Sequence, residues 1–153
     1  MNLENYFNKL VQKGFLKRER IGLDQVRALM RSAEKNLSAA RKTLAIDEET
    51  CYAMAYTGML KIARAIIFLH GLRPDDGQQH KTTVEVSGMI LGDKFNSLIK
   101  IFDKMRKKRN KFTYDPMTPV SKEEARSALV TSEEFLSKVR KHLERTDPQK
   151  KLF

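Results

Sequence analysis

The stretch Asp47-Glu48-Glu49-Thr50-Cys51-Tyr52-Ala53-Met54-Ala55-Tyr56-Thr57-Gly58-Met59-Leu60-Lys61-Ile62-Ala63-Arg64-Ala65-Ile66-Ile67-Phe68-Leu69-His70-Gly71-Leu72-Arg73-Pro74 decides how the chain folds. It opens on acidic side chains, which are stabilising at the positive end of a helix. It closes on a glycine followed by a proline, the pattern of a helix stop. Between them Tyr52, Met54, Tyr56, Met59, Leu60, Ile62, Ile66, Ile67 and Phe68 point nearly all round a helical cylinder. A helix apolar on most sides has to be enclosed by others. Ala53, Ala55, Gly58, Ala63 and Ala65 are small enough to let those neighbours approach closely. The segment is predicted to be the central helix of a bundle.

Working outward, the flanking sequence supplies the enclosing helices. Upstream, Met30, Ala33, Leu37, Ala40 and Leu44 recur at intervals of three and four, predicting a helix from about Asp24, as its N-cap, to Leu44. Its opposite face carries Arg27, Arg31, Lys35 and Lys42. A short amphipathic piece over Leu3 to Val11 is stopped by Gly14, and Lys13 to Gly22 reads as a connector. Downstream, the polar stretch Arg73 to His80 reads as the longest loop. Helices are then predicted over Lys81 to Leu91, Lys94 to Lys111, and from Ser121 to about Leu143. Ser121-Lys122-Glu123-Glu124 is a capping box, in which the serine oxygen and Glu124 satisfy free amides reciprocally. The tail over 146–153 holds Pro148 and reads as frayed. The fold class is therefore all-α, an antiparallel up-and-down bundle of four to five helices in one domain over residues 1–153, with 1–22 as an N-terminal arm and connector.

Composition agrees with this. The 153 residues carry 30 Lys+Arg against 19 Asp+Glu, a net charge of +11, with 41% hydrophobic residues, only 7 Gly and 4 Pro, and no Trp. That balance is too apolar for a disordered chain and too poor in turn residues for a β architecture. The single cysteine, Cys51, forbids an internal disulfide and a multi-cysteine zinc site. No apolar run reaches the roughly 18 residues of a membrane span. The start, Met1-Asn2-Leu3-Glu4-Asn5, lacks the basic-then-apolar plan of a signal peptide. A cytoplasmic protein with no membrane role, no metal and no cofactor is expected.

The helix from Lys94 to Lys111 holds the candidate site. Projected at about 100° per residue from Phe102, the side chains of Phe95, Leu98 and Met105 form an apolar stripe. Lys104, Lys107, Lys108 and Lys111 fall on the far side, as a solvated face. Arg109, in contrast, projects onto the centre of the apolar stripe, with Arg106 on the same side. A guanidinium is costly to bury alone, so Arg109 must reach the bundle end, pair with an acid, or face a ligand or second subunit, unless the helix has frayed by residue 109 and leaves it in water. Asn110, Tyr114 and Asp115 follow where side chains can converge in a cleft. Asp115 before Pro116 reads as a turn residue.

These residues carry a family resemblance. The stretch from Tyr52 through Pro74, followed by Phe102-Asp103-Lys104-Met105-Arg106-Lys107-Lys108-Arg109-Asn110 and Tyr114-Asp115-Pro116, resembles a HEPN domain, over roughly residues 13 to 145. The resemblance implies a helical bundle that forms a homodimer, with a site where the two copies of this helix end meet. Active HEPN ribonucleases cleave RNA without a metal, using an arginine, usually followed by a polar residue, and a histidine four to six positions on. Carried onto this chain, the arginine is Arg109 and the polar residue Asn110. Tyr114 stands where the histidine is expected. With an ordinary pKa near 10, tyrosine is a poor proton shuttle at neutral pH, so nuclease activity should be weak or absent. His70 closes a helix and His142 lies on the exposed side of the last helix, so both read as structural or surface groups. His80 sits in the polar loop, within reach of a dimer site, and is not counted among the site residues.

The resemblance also implies a setting: the toxin-like partner of an MNT-type nucleotidyltransferase in a prokaryotic toxin–antitoxin pair. Related pairs modify a tyrosine near the motif, and Tyr114 would be the acceptor, although Pro116 holds the position of the usual one. Lys104 to Lys111 has six basic residues in eight. Arg106, Lys107, Lys108 and Lys111 are thus candidate contacts to RNA or a nucleotide, beside Arg109, Asn110 and Tyr114. Only Phe112 and Tyr114 offer rings for base stacking. Two other classes compete: a non-catalytic scaffold that binds a protein partner, and an active metal-independent ribonuclease with an altered acid–base group.

Overall fold

The structure, a computed structural model, describes residues 2–77 and 79–146. Six helices run in the order α1 (Leu3–Gln12), α2 (Leu23–Thr43), α3 (Glu48–Leu69), α4 (Gln79–Leu91), α5 (Asn96–Tyr114) and α6 (Lys122–Thr146). Two three-residue strands, β1 (Leu16–Arg18) and β2 (Leu72–Pro74), pair antiparallel with Leu16 opposite Pro74 and Arg18 opposite Leu72. The expected all-α bundle is what forms.

Its axis is α3, which packs against α2, α4, α5 and α6 and against β2. Twelve of its 22 residues are buried, from Cys51 to Ile67, and they point in every direction around the helix. By length and composition alone α3 could cross a membrane, but most of that window is buried inside the protein. It is a core helix.

The buried residues of α2 are Val26, Met30, Ala33, Leu37 and Ala40, a stripe with alternating steps of four and three that seats along α3 for its whole length. The two backbones come close where α3 carries Gly58. A Cβ built there would stand 2.6 Å from Cδ2 of Leu37 and 3.3 Å from the carbonyl oxygen of Ala33. Tyr56, Phe102 and Phe135 join α3, α5 and α6 at the centre of the core, with ring centroids 5.7 to 5.8 Å apart. A smaller cluster of Phe7, Leu16, Ile67, Leu72 and Val86 fastens the N-terminal elements to α3 and α4.

Several boundaries differ from the sequence reading. Gly22, not Asp24, precedes α2 as its N-cap, and Asp24 sits inside the first turn. The cap makes no side-chain hydrogen bond, and Leu23 beside it packs on the core. The connector over 13–22 contains β1, and the loop from Arg73 begins with β2. Three-residue strands carry too little alternation to stand out from loop sequence. Gly71, at φ 68°, takes the left-handed turn that leads α3 into β2. The polar loop then shrinks, because α4 already begins at Gln79. The capping box at α6 forms as read: the Ser121 hydroxyl accepts from the Glu124 amide, and a Glu124 carboxylate oxygen accepts from the Ser121 amide, both at 3.0 Å. Thr146 closes α6, and the rest of the expected frayed tail, 147–153, lies outside the described residues.

The α2–α3 contact gives a direct test. Gly58→Leu forces a branched side chain against Leu37 and the Ala33 carbonyl. It is expected to lower stability by about 2 kcal/mol, within the usual cost of overpacking a core. The urea unfolding midpoint should fall with little change in slope.

Candidate functional site

The stripe Leu98, Phe102 and Met105 holds α5 to the core, and one turn further on the same stripe arrives at Arg109. The helix does not stop there. It continues to Tyr114, with the Thr113 hydroxyl donating 2.7 Å to the Arg109 carbonyl. Arg109 therefore stays on the inward side, half-buried, and no carboxylate among the described residues pairs with it. Beyond it the chain turns at Asp115. The carboxylate accepts from the Met117 amide at 2.9 Å and from the Thr118 hydroxyl at 3.0 Å, the turn role its sequence context indicated.

Arg109 faces a cleft of about 420 Å³ between the last turns of α5 and the start of α4. Arg106, Arg109, Asn110 and Tyr114 form one wall. Gln79, His80 and Lys81, from the first turn of α4, form the other. Asn110 and Tyr114 are exposed, and Tyr114 at 79% stands clear of the core. Beneath them lies Tyr56 of α3, fully buried, its hydroxyl oxygen 3.0 Å from Nδ1 of His80.

The basic run of α5 is divided by its neighbours. Nε of Arg106 donates 2.9 Å to Asp103, and Nζ of Lys107 stands 3.3 Å from the same carboxylate. Burial works to raise the Asp103 pKa, but these two cations outweigh it and hold the carboxyl below its ordinary range. Lys108 turns the other way, across to α6. Its ammonium donates 3.0 Å to the Pro119 carbonyl and lies 3.2 Å from Glu124, the capping-box residue. Of the basic residues expected to bind, only Arg106 and Arg109 line the cleft. Lys107, Lys108 and Lys111 stand outside it. The far face is also less uniformly solvated than its projection indicated, because the Lys108 side chain is only 24% exposed. Phe112, one of the two rings considered for stacking, is half-buried edge-on against Tyr52 at 5.6 Å, leaving Tyr114 as the free ring.

The histidines separate cleanly. Nδ1 of His70 lies 3.1 Å from the Ile66 carbonyl, and its ring meets Phe7, a structural use. His142 is half-buried edge-on against Phe95 rather than exposed, because α6 presses it onto the 3₁₀ turn before α5. His80 is the residue the sequence reading undervalued. It sits on the cleft wall opposite Arg109, and the signal for it was only that it stood in the polar loop after the central helix. Desolvation against the protein lowers its pKa from the ordinary 6.5, and Arg109, Arg64 and Arg106 push in the same direction. Among the described residues no group of three or more His, Cys, Asp or Glu stands together as a metal site.

A family model for the HEPN domain matches residues 26–142 of the chain. The chain belongs to the HEPN family. Comparison with curated proteins and with solved structures gave no match. Membership of the HEPN family supports an RNA-binding, nuclease-like module, and it locates α2 through α6 as the family's part of this chain.

The pH dependence of folding follows from the histidines. His80 and His142 both have folded pKa values below 6.5, the latter mainly through burial. Each binds fewer protons folded than unfolded, so its penalty is absent above 6.5 and grows as pH falls through that value. His80→Gln is expected to flatten the loss of stability between about pH 6.5 and 5 and to leave the part due to His142. Urea midpoints across that range measure the difference.

Proposed function

We propose that this HEPN protein binds the phosphate groups of RNA or of a nucleotide in the cleft between α4 and α5, with weak or no cleavage. The observation that carries the reading is Arg109: half-buried, without a carboxylate among the described residues, and facing a cleft shared with Arg106, Asn110 and Tyr114. A guanidinium held in this way needs an anion. Phosphate oxygens satisfy its planar donors in pairs, and charge-assisted bonds of that kind are about twice as strong as neutral ones. The net charge of +11 adds long-range, salt-sensitive attraction to a polyanion.

Arg109 is the anchor, Asn110 orients the ligand with its amide, and Tyr114 offers a ring for stacking. Arg106 adds charge at the cleft. Lys107, Lys108 and Lys111 act at longer range, through the field they create along a bound strand. Tyr114 leaves the motif without its usual proton shuttle, which is why cleavage is weak. We read the protein as a homodimer in which two copies of the α5 end meet. It acts as the toxin-like partner of an MNT-type nucleotidyltransferase in a prokaryotic cytoplasm, and the exposure of Tyr114 suits modification by such a partner.

The test is RNA binding and cleavage measured side by side, wild type against Arg109→Ala, at two salt concentrations. Binding should weaken at least tenfold in the variant, the loss of one or two hydrogen bonds to a charged acceptor, and should weaken in both proteins as salt rises. Intact RNA after hours with wild type is expected. Binding that ignores Arg109 refutes the reading. Absence of binding by either protein favours a partner-binding scaffold, and efficient cleavage favours an active nuclease.

A further inference from the structure

Tyr56 is buried at the middle of α3 with its ring against Phe102, and its hydroxyl meets a residue of the cleft wall. The partner of that hydroxyl is Nδ1 of His80 at 3.0 Å. Burial pushes the phenol up to about 12, more than Arg106 and Arg109 pull it down, and Asp103 adds to the rise. Tyr56 is therefore a protonated hydroxyl at neutral pH. The contact admits either ring tautomer, but a buried O–H with no other partner among the described residues is destabilising if left unmade, which favours donation from Tyr56 to Nδ1. That makes Nδ1 of His80 an acceptor.

A neutral imidazole carries one proton, so with Nδ1 accepting, the proton is on Nε2. Desolvation favours the neutral ring of His80, and Arg109 and Arg106 from α5 and Arg64 from α3 push the same way. Lys81 beside it on α4 is a fourth cation, and Tyr114 is the other titratable group on the cleft wall. The ring edge not held by Tyr56 is the Nε2 edge, on a residue exposed at the cleft.

We propose that His80 contacts the ligand as a neutral hydrogen-bond donor through Nε2–H, its tautomer set by the bond from Tyr56, so that the cleft closes on a phosphate group from both walls. This rests on the phosphate-binding reading of the cleft and adds its second wall. Phosphate oxygens only accept, and Arg109, the Asn110 amide and His80 all donate, which matches ligand to site. The same bond withdraws His80 from base chemistry. Its one available lone pair is occupied by Tyr56, and its outward nitrogen already holds a proton. His80 therefore does not replace the histidine that Tyr114 displaces, although it stands in the same cleft.

The proton position is measured directly by nitrogen-15 spectra of the imidazole rings at pH 7. Wild type should show His80 protonated on Nε2 and bare on Nδ1, and Tyr56→Phe should yield a mixture of tautomers. In parallel, binding of adenosine 5′-monophosphate and of a short oligouridylate is measured. His80→Ala should weaken binding roughly tenfold, the scale of one hydrogen bond to a charged acceptor. His80→Gln, which puts an amide N–H near the position of Nε2–H, should stay within about threefold of wild type. His80-dependent binding of either probe supports the proposal, and their ratio tells a terminal phosphomonoester from a chain phosphodiester. A proton on Nδ1, or His80→Ala binding as wild type does while Arg109→Ala fails, overturns it and leaves the phosphate reading standing. Binding that neither variant affects, or no binding at all, overturns both.

Discussion

Burying a helix face removes water as a partner for the polar groups on it, and α3 packs against four helices with twelve of its 22 residues buried. Polar groups that lie along those contacts are then met by the protein. The Cys51 thiol points to the Ala125 carbonyl at 3.8 Å, Lys61 reaches out to Ser32 at 2.7 Å, and Tyr56 meets His80. Those contacts tie α3 to α6, to α2 and to α4 respectively. The geometry of the cleft is thus a consequence of the core: the side chain that fixes His80 is held in place by Phe102, which in turn packs on Phe135.

The bundle could be read from the sequence because its helices state their periods strongly. The four-and-three rhythm of α2, the all-round apolarity of α3 and the capping box of α6 are local signals, and all three helices form, α2 with its cap two residues earlier than read. What escaped were features that depend on partners far along the chain. β1 and β2 are three residues each and exist through one another. Arg109 was visible because its own helix betrayed it as an arginine on an apolar stripe. His80 was not, since its meaning comes from a tyrosine 24 residues earlier and an arginine one helix later. Periodicity describes one helix at a time, whereas a cleft between two helices is a relation.

The run of six basic residues illustrates the same limit in electrostatic terms. Counted along the chain it is a uniform block of charge. In the fold, Asp103 takes up Arg106 and Lys107, and Glu124 takes up Lys108, so that α5 is stitched to its own first half and to the start of α6. Among the described residues Lys104, Arg109 and Lys111 have no paired carboxylate, and of these three only Arg109 is half-buried. The site is defined as much by where the acids are placed as by where the bases are.

The family match begins at residue 26, which leaves α1 and β1 outside it. Yet β1 pairs with β2, the Asp75 amide donates 2.9 Å to the Phe15 carbonyl, and Glu19 stands 2.6 Å from Nε of Arg73. The chain is thereby anchored at Asp75 and again, through Tyr56, at His80. Between them the Asp76 carboxylate accepts 2.7 Å from the Thr82 hydroxyl of α4. The N-terminal segment is thus fastened to the chain just ahead of α4, a cleft-bearing helix, although none of its described residues lines the cleft.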